Sequence, residues 1–300
     1  MKRSCPLLIV VLVFLAPAEL AAELPAEPPR PPSPLPPLHT LAPAGLDSLL
    51  AGLPARCPEF ADRLRALAFA RVGAPYALGT LGEESAADSD PVFRVDEADC
   101  TVLVLTTAAL AHARSSAEAR LWMGPLNYRR QGDTFPVRYE NRLHFTEDRI
   151  TASPLFADLT LAVGAPADRK TVHLVLNRSA AGQELLPLGW ERAMTLDYIP
   201  AERLAAALPR VPAVAGIAFA REANIGRGFF VAHEGFLLDQ RLLLHASKEV
   251  GRVATVDVLD YLFRPADPDP AKQGRARFDG VLIYGFVEGA PDLLLDGHAR

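Results

Sequence analysis

The chain has 300 residues, of which 50% are hydrophobic, and its formal net charge is -5. This length allows one large domain or two small ones. No stripe of basic residues with interleaved aromatics is present, so nucleic-acid binding is unsupported. A mildly acidic protein also gains nothing from general attraction to anionic polymers, so recognition of a glycan or cell wall would require specific contacts.

The first 22 residues have the order of a secretory signal peptide. Lys2 and Arg3 precede an apolar stretch at 7–16, and small residues follow at 20–22. The apolar stretch is too short to span a bilayer as a stable helix, which favours export over an N-terminal membrane anchor. We therefore expect a signal peptide at 1–22 and an exported protein of the periplasm or cell envelope, without stable membrane insertion after cleavage.

Proline dominates residues 23–44. Such a segment cannot form a regular backbone ladder, so we expect an extended, semi-rigid linker there. The folded domain is expected at 45–289, with a C-terminal tail at 290–300.

Helices are expected in the first part of the domain, where apolar residues recur at helical spacing between turn residues. The predicted helices run from Pro58 to a stop at 73–75, over the apolar run 100–113, and over 115–123 with Gly124-Pro125 as the stop.

Beyond residue 158 the pattern changes to β-branched, aromatic or leucine-rich runs separated by turn residues. Further helices are expected after Pro200 and over 256–263. Helices followed by strands are typical of an α+β fold with an antiparallel sheet. The predicted strands are 171–177, 193–199, 214–222, 228–238, 241–246 and 280–288.

The pair Asp99-Cys100 stands at the start of the second predicted helix. A cysteine at a helix N-terminus lies near the positive end of the helix dipole and near unpaired backbone N–H groups, and both favour the thiolate. This suggests a catalytic nucleophile. Two alternatives remain open for Cys100: a buried small hydrophobe, or half of a disulfide with Cys57, because an exported protein meets an oxidising compartment.

Two histidines, His233 and His245, lie twelve residues apart in adjacent predicted strands. One imidazole near the thiol would act as a general base, and the second would orient the first. A two-residue Asp239-Gln240 turn would put them on opposite faces of the hairpin, whereas a three-residue loop over 238–240, or a bulge, would place them directly opposite each other. The catalytic hypothesis therefore requires an odd loop or a bulge.

A zinc site is the chemical alternative, since His144, His173, His233 and His245 could supply three ligands plus water. No HxxEH, HExxH or CxxC spacing occurs, so we expect neither a metal nor another cofactor. His144 itself stands in a polar and aromatic segment beside Arg142, which suits either a cleft wall or a solvated loop.

Seven segments together resemble the N-acetylmuramoyl-L-alanine amidase-like branch of the NlpC-type cysteine hydrolases. The resemblance extends from about residue 63 to 286, and the Cys, His, His order is its most specific part. The segments are APYALGTLG (74–82), ADCT (98–101), NRLHFTED (141–148), DYIP (197–200), AHEGF (232–236), LLHAS (243–247) and GVLIYGF (280–286).

The resemblance implies a papain-like, NlpC-type fold in which the helix bearing the cysteine packs on an antiparallel sheet bearing the histidine pair. It implies Cys100 as nucleophile, His233 as base and His245 as the orienting residue. It also implies a set of substrate-binding residues in or beside the cleft, namely Tyr76, Asp99, Arg142, His144 and Ser247.

The implied reaction is hydrolysis of the amide that joins the lactyl group of N-acetylmuramic acid to L-alanine, in peptidoglycan or muropeptides, through a thioester acyl-enzyme. Two alternatives remain open. The same triad could serve a γ-D-glutamyl endopeptidase acting on stem peptides, and the same fold could form a catalytically inactive wall-binding module.

Overall fold

The computed structural model describes residues 35–85 and 87–295. The predicted signal peptide lies outside the described residues, as do most of the predicted linker and part of the predicted tail. Within the described ranges, none of the helices combines the length and apolar character needed to cross a membrane.

Residues 35–44 of the predicted linker are not extended throughout. A 3-10 turn at Leu38–Thr40 buries Leu38 completely, and helix α1 begins at Pro43 and ends at Arg56. The leucines between the prolines explain the difference, because their apolar side chains gain stability when they pack on the domain.

Three helices occur where helical spacing predicts them: α2 at Phe60–Ala70, α3 at Cys100–His112 and α4 at Ser116–Asn127. Helix α1 and helix α5, at Thr146–Ala152, were not predicted. The predicted stop at Gly124-Pro125 is wrong, because α4 continues to Asn127 with Pro125 inside it. Proline removes one backbone donor from a helix, but burial of Pro125 and its neighbours in the core offsets that loss. The shorter helices are α6 at Thr160–Val163, α7 at Leu204–Ala207, α8 at Val258–Phe263 and α9 at Asp292–Leu295.

The strands of the described chain form one antiparallel sheet, which confirms the α+β fold. The strands are β1 at Phe156–Asp158, β2 at Lys170–Leu176, β3 at Arg192–Pro200, β4 at Val214–Ala220, β5 at Val231–Leu238, β6 at Leu242–Ser247, β7 at Arg252–Asp257 and β8 at Gly280–Phe286. Their order in the sheet is β2-β3-β8-β4-β5-β6-β7, and β1 pairs with β8. Two of these strands, β1 and β7, were not predicted.

Helix α3 is buried on all sides, as expected for a helix that is apolar all round. It contacts α2, α4 and β5. On this face the sheet contributes Phe236 and Leu244, whereas Leu237 and Leu243 enter a second apolar layer with α8 on the opposite face. The first residue of α3, Cys100, therefore lies beside the strand that carries His233.

Candidate active site

Asp99 fixes the start of α3. Its Oδ1 accepts a hydrogen bond from the Val102 backbone N–H at 2.8 Å, which is the usual N-cap contact. Its Oδ2 accepts a second hydrogen bond from the Gly79 backbone N–H at 2.8 Å. Asp99 therefore places Cys100 at the first helical position and joins that position to the loop that follows Tyr76.

The Cys100 sulfur lies near the Glu234 backbone N–H of β5 and near the Thr101 hydroxyl, and both of these groups lower the pKa of the thiol. Burial, together with the nearby carboxylates of Glu234 and Asp99, raises the pKa of the Cys100 thiol to about 12. A helix N-terminus contributes only about 0.3–1 kcal/mol, which is too small to offset these effects. The resting thiol is therefore protonated, contrary to the expectation from the helix start alone.

The histidine pair lies on a hairpin with the odd loop that the catalytic hypothesis requires. Leu238 pairs with Leu242, so the loop spans 239–241 rather than the predicted 238–240. His233 and His245 consequently share a face as diagonal neighbours instead of lying directly opposite each other. His233 Nε2 and His245 Nδ1 are 2.9 Å apart and share a hydrogen bond.

Gly235 makes room for this pair. A Cβ atom at this position would lie 3.0 Å from the His245 Cβ and 2.7 Å from the Leu244 carbonyl oxygen. Real Cβ atoms do not approach backbone oxygens that closely, so only glycine fits without a shift of β6. The glycine in AHEGF thus explains how the two imidazoles come within hydrogen-bond distance.

Both imidazoles are neutral at neutral pH. Burial lowers the pKa of His233 to about 4. Burial also lowers the pKa of His245 well below its ordinary value, and the neighbouring His233 and Arg277 act in the same direction. The Tyr261 ring packs edge-on against His245, with ring centroids 4.7 Å apart, and the Arg277 guanidinium lies 4.8 Å from the centre of the Tyr261 ring.

The Cys100 thiol and the pair of imidazoles lie on different sides of β5. Successive side chains of a strand point to opposite faces, so Glu234 faces α3 while His233 stacks on Phe219 in the second layer. Among the described residues, no hydrogen bond joins the Cys100 sulfur to either imidazole. The sulfur lies near the peptide N–H that directly follows His233, so the thiol borders the part of β5 that carries the imidazole.

Cys100 and His233 both line a cavity of about 260 Å³. Its polar wall includes Thr101, His144 and Glu147, and its apolar wall includes Leu185, Leu186, Phe229 and Val231. Burial raises the pKa of Glu147 to about 7, while its Oε1 accepts a 2.6 Å hydrogen bond from the Phe230 N–H. Glu147 thereby holds the segment that forms part of the apolar wall.

Glu234 is the main residue that sequence reasoning did not identify as part of the site. Its side chain is 1% exposed and forms an ion pair with Arg149, which is also 1% exposed. Its Oε1 accepts a 2.9 Å hydrogen bond from Thr101, and its Oε2 accepts one of 2.9 Å from Tyr284. The signal available in the sequence was a carboxylate inside a predicted strand of mostly apolar residues, since such a carboxylate requires a partner when it is buried.

Glu234 therefore connects the two halves of the candidate site. Through Thr101 it holds the residue that follows the cysteine, and its own backbone follows His233. Through Arg149 it also reaches α5. This network sets the distance between α3 and β5 and supplies a negative charge beside the thiol.

The predicted substrate-binding residues fall in different places. Asp99, Arg142 and His144 line a second cavity of about 110 Å³, which shares Thr101 and His144 with the first. Tyr76 borders neither of these two cavities, although burial and the nearby Cys100 raise the pKa of its hydroxyl. Ser247 is buried at the end of β6, where its hydroxyl accepts a 3.2 Å hydrogen bond from the Val250 N–H.

Arg142 is occupied by protein partners. It pairs with Glu83 and with Asp88, the latter at 3.0 Å, and donates to the Leu81 carbonyl at 3.2 Å. These contacts hold the loop that precedes Asp99. They give Arg142 a role in shaping the second cavity.

Cys57 and Cys100 are both free thiols in the structure. Among the described residues, no group of three or more histidine, cysteine or acidic side chains is arranged to hold a metal ion. Two of the histidines considered for zinc have other contacts: His173 bonds the Thr195 hydroxyl at 3.0 Å, and His144 bonds the Tyr139 carbonyl at 2.8 Å.

Together, the fold and the site define an α+β protein with a cysteine at the start of a helix and a hydrogen-bonded histidine pair on the sheet, in which Cys100 and His233 border one cavity. A family model of N-acetylmuramoyl-L-alanine amidase-like proteins, named AmiA-like, matches residues 67–265. Because this match covers more than half of the chain, the protein belongs to that family. No protein with a curated description matches the chain significantly.

Several solved structures share the fold. A Legionella pneumophila protein of the DUF1460 family is 21% identical, with a TM-score of 0.64 over 82% of this chain and 94% of that one. An N-acetylmuramoyl-L-alanine amidase from Bacteroides uniformis is 22% identical, with a TM-score of 0.56 over 75% of this chain and 98% of that one. A protein from Bacteroides fragilis described as a putative xylanase is also 22% identical, with a TM-score of 0.55 over 73% of this chain and 98% of that one.

Proposed function

We propose that this protein is an exported cysteine hydrolase with an NlpC-type, papain-like core, which cleaves the amide between N-acetylmuramic acid and L-alanine in peptidoglycan or muropeptides. Membership of the amidase-like family supports the reaction class and a peptidoglycan-type substrate. The observation that carries the proposal is the cavity that Cys100 and His233 both line, with His245 bonded to the far nitrogen of His233.

In the proposed mechanism the resting pair is a neutral thiol and a neutral imidazole. His233 Nε2 carries a hydrogen and donates it to His245 Nδ1, which leaves His233 Nδ1 as the base. As the sulfur attacks the lactyl carbonyl, its proton moves to His233 Nδ1. His245 holds the ring in this tautomer, so its role is that of a positioning residue.

The tetrahedral intermediate then collapses to products. The mechanism assigns the Cys100 backbone N–H as an oxyanion donor, because the N–H groups of Val102 and Leu103 are already bonded to Asp99. His233 gives its proton to the amine of L-alanine, the C–N bond breaks, and the muramyl lactyl group remains as a thioester on Cys100. His233 then takes a proton from water as the hydroxide attacks the thioester, which releases the carboxylic acid and restores the thiol.

One step must precede this chemistry, because the sulfur and the imidazole do not share a hydrogen bond at rest. We propose that the His233 ring turns toward the cavity, which both residues line, when substrate binds, since catalytic contacts of this kind often tighten only in the substrate complex. General-base activation also agrees with the raised pKa of the thiol, since the proton leaves during attack and not before it.

Digestion of a defined muropeptide, with product masses measured, tests the proposed function. We expect one product that begins with L-alanine and one glycan product with a free lactyl carboxylate, and we expect Cys100→Ala to abolish both while folding is retained. Cleavage next to D-glutamate would replace the amidase by the γ-D-glutamyl endopeptidase. Unchanged cleavage by Cys100→Ala would contradict the cysteine mechanism.

One observation favours a second candidate, the inactive wall-binding module. A site without catalytic activity would also have a protonated thiol and no hydrogen bond between the sulfur and an imidazole. This candidate predicts binding of muropeptide without any change in its mass. The same digestion therefore separates the two functions.

A further inference from the structure

His144 occupies the junction between the two cavities of the cleft. Together with Thr101 it borders both the 260 Å³ cavity that contains Cys100 and the 110 Å³ cavity beside Arg142. A substrate that extends from the nucleophile into the second cavity must therefore pass this imidazole. The ring is also packed edge-on against Tyr139, with centroids 4.6 Å apart, which restricts its orientation.

The hydrogen bonding of the ring fixes its tautomer. His144 Nε2 lies 2.8 Å from the Tyr139 carbonyl oxygen, and a carbonyl can only accept, so Nε2 carries the hydrogen. Burial, assisted by the nearby charge of Arg142, lowers the pKa of His144 to about 4. The neutral ring then carries no hydrogen on Nδ1, which has a lone pair and no hydrogen-bond partner among the described residues.

The surrounding side chains limit what can bind there. The hydroxyls of Thr101 and Thr146 donate to Glu234, at 2.9 and 3.2 Å, and the guanidinium groups of Arg142 and Arg149 are paired with carboxylates. A ligand carboxylate would find no unpaired cation among these groups. A neutral group that donates a hydrogen bond fits better.

We propose that His144 Nδ1 is a substrate-binding acceptor that receives a hydrogen bond from an uncharged amide N–H of the substrate. This inference rests on the proposed function and adds a chemical requirement to it. Next to the scissile amide, a muropeptide offers two such N–H groups: that of the peptide bond after L-alanine and that of the acetamido group of the muramyl ring. Both belong to one class of donor, so substrate analogues must distinguish them.

Two variants separate the acceptor from the rest of the ring. His144→Gln places an amide near the Nε2 position and keeps the bond to Tyr139, but it leaves no acceptor at the Nδ1 position. His144→Asn places its amide oxygen near Nδ1 and keeps the acceptor. We expect His144→Gln to lower kcat/KM for the unmodified muropeptide about tenfold, mainly through KM, and His144→Asn to remain nearer to the unmodified protein.

Substrate analogues identify the donor. The unmodified protein and His144→Gln are compared on two muropeptides, one N-methylated at the peptide bond after L-alanine and one N-methylated at the acetamido group. We expect one analogue to lower kcat/KM of the unmodified protein about tenfold and to remove the difference from His144→Gln. The analogue that has this effect identifies which N–H of the substrate binds His144.

The outcomes distinguish this inference from the proposed function. Equal kcat/KM values for the unmodified protein and His144→Gln on the unmodified substrate would overturn the role of His144 while leaving the amidase intact. An undiminished difference between them on both analogues would also overturn it. Failure of the unmodified protein to cleave any muropeptide would instead overturn the proposed function, and this inference with it.

Discussion

Replacement of Glu234 by glutamine tests how the site controls its nucleophile. The buried Glu234 carboxylate lies beside the thiol and raises its pKa, with burial as the larger cause. A nearby charge shifts a pKa by about 1–3 units, so Glu234→Gln should lower the Cys100 pKa by that amount from about 12. The buried Arg149, which loses its partner, acts in the same direction.

The expected gain in the reactivity of the Cys100 thiol follows from the change in its thiolate fraction. Each unit of lowered pKa raises the thiolate fraction at pH 8 about tenfold, and the lower intrinsic nucleophilicity removes roughly a factor of three of that gain. Alkylation of Cys100 by iodoacetamide at pH 8 should therefore accelerate about 3- to 40-fold. Muropeptide cleavage should nevertheless fall, because the link between Thr101 and β5 is weakened.

Asp148→Asn is the matched control. Asp148 has a fully buried side chain paired with Arg129 and Arg192, but it is not among the groups that shift the Cys100 pKa. Breaking the buried pair of Glu234 with Arg149 should lower the free energy of unfolding by about 3–5 kcal/mol. The loss in Asp148→Asn should be smaller, because Arg129 and Arg192 are partly exposed to solvent. Only Glu234→Gln should speed alkylation of Cys100 and shift its pH midpoint downward, as followed by peptide mass. An unchanged or raised midpoint, or an equal acceleration in Asp148→Asn, would refute the reasoning.

Three further predictions concern the neighbouring residues. Gly235→Ala should separate the imidazoles and lower kcat at least tenfold, because the new Cβ meets Leu244 and His245; wild-type turnover would contradict this. His245→Ala should lower kcat less than His233→Ala, and the reverse order would exchange their roles. Since the pKa of Glu147 rises from 4.5 to about 7 on folding, it stabilises the protein below pH 4.5 and this contribution is lost as pH rises through 7. Between pH 5 and 8 the unmodified protein should therefore lose roughly 2–3 kcal/mol more unfolding free energy than Glu147→Gln, measured in urea, and parallel pH profiles would contradict the assignment.

Local patterns in the sequence predict those parts of the fold that depend on contacts between residues close together in the chain. The predicted start of α3 at Cys100 is confirmed, and the structure shows its local cause, because the Asp99 carboxylate accepts a hydrogen bond from the Val102 N–H. Alternating and β-branched runs likewise located most strands. These features depend on neighbours within a few residues.

Tertiary contacts decided the features that were missed. Asp239 and Gln240 adopt positive φ angles of 50° and 61°, and Asp239 is held by an ion pair with Arg65 and a hydrogen bond to the Ala213 carbonyl. None of these partners is local, so the hairpin register could not be derived from the turn residues. The burial of Cys100 beside Glu234 is equally distant in sequence, which is why the helix dipole alone suggested a thiolate.

Rapid-quench mass spectrometry tests the central claim, that His233 takes a proton from Cys100 during attack, most directly. The unmodified protein and His233→Ala are mixed with one muropeptide and quenched within a single turnover. We predict a muramyl acyl group on the peptide containing Cys100 in the unmodified protein, formed at least a hundredfold more slowly in His233→Ala. Equal acylation rates in the two proteins, or turnover by the unmodified protein with Cys100 never acylated, would contradict the account.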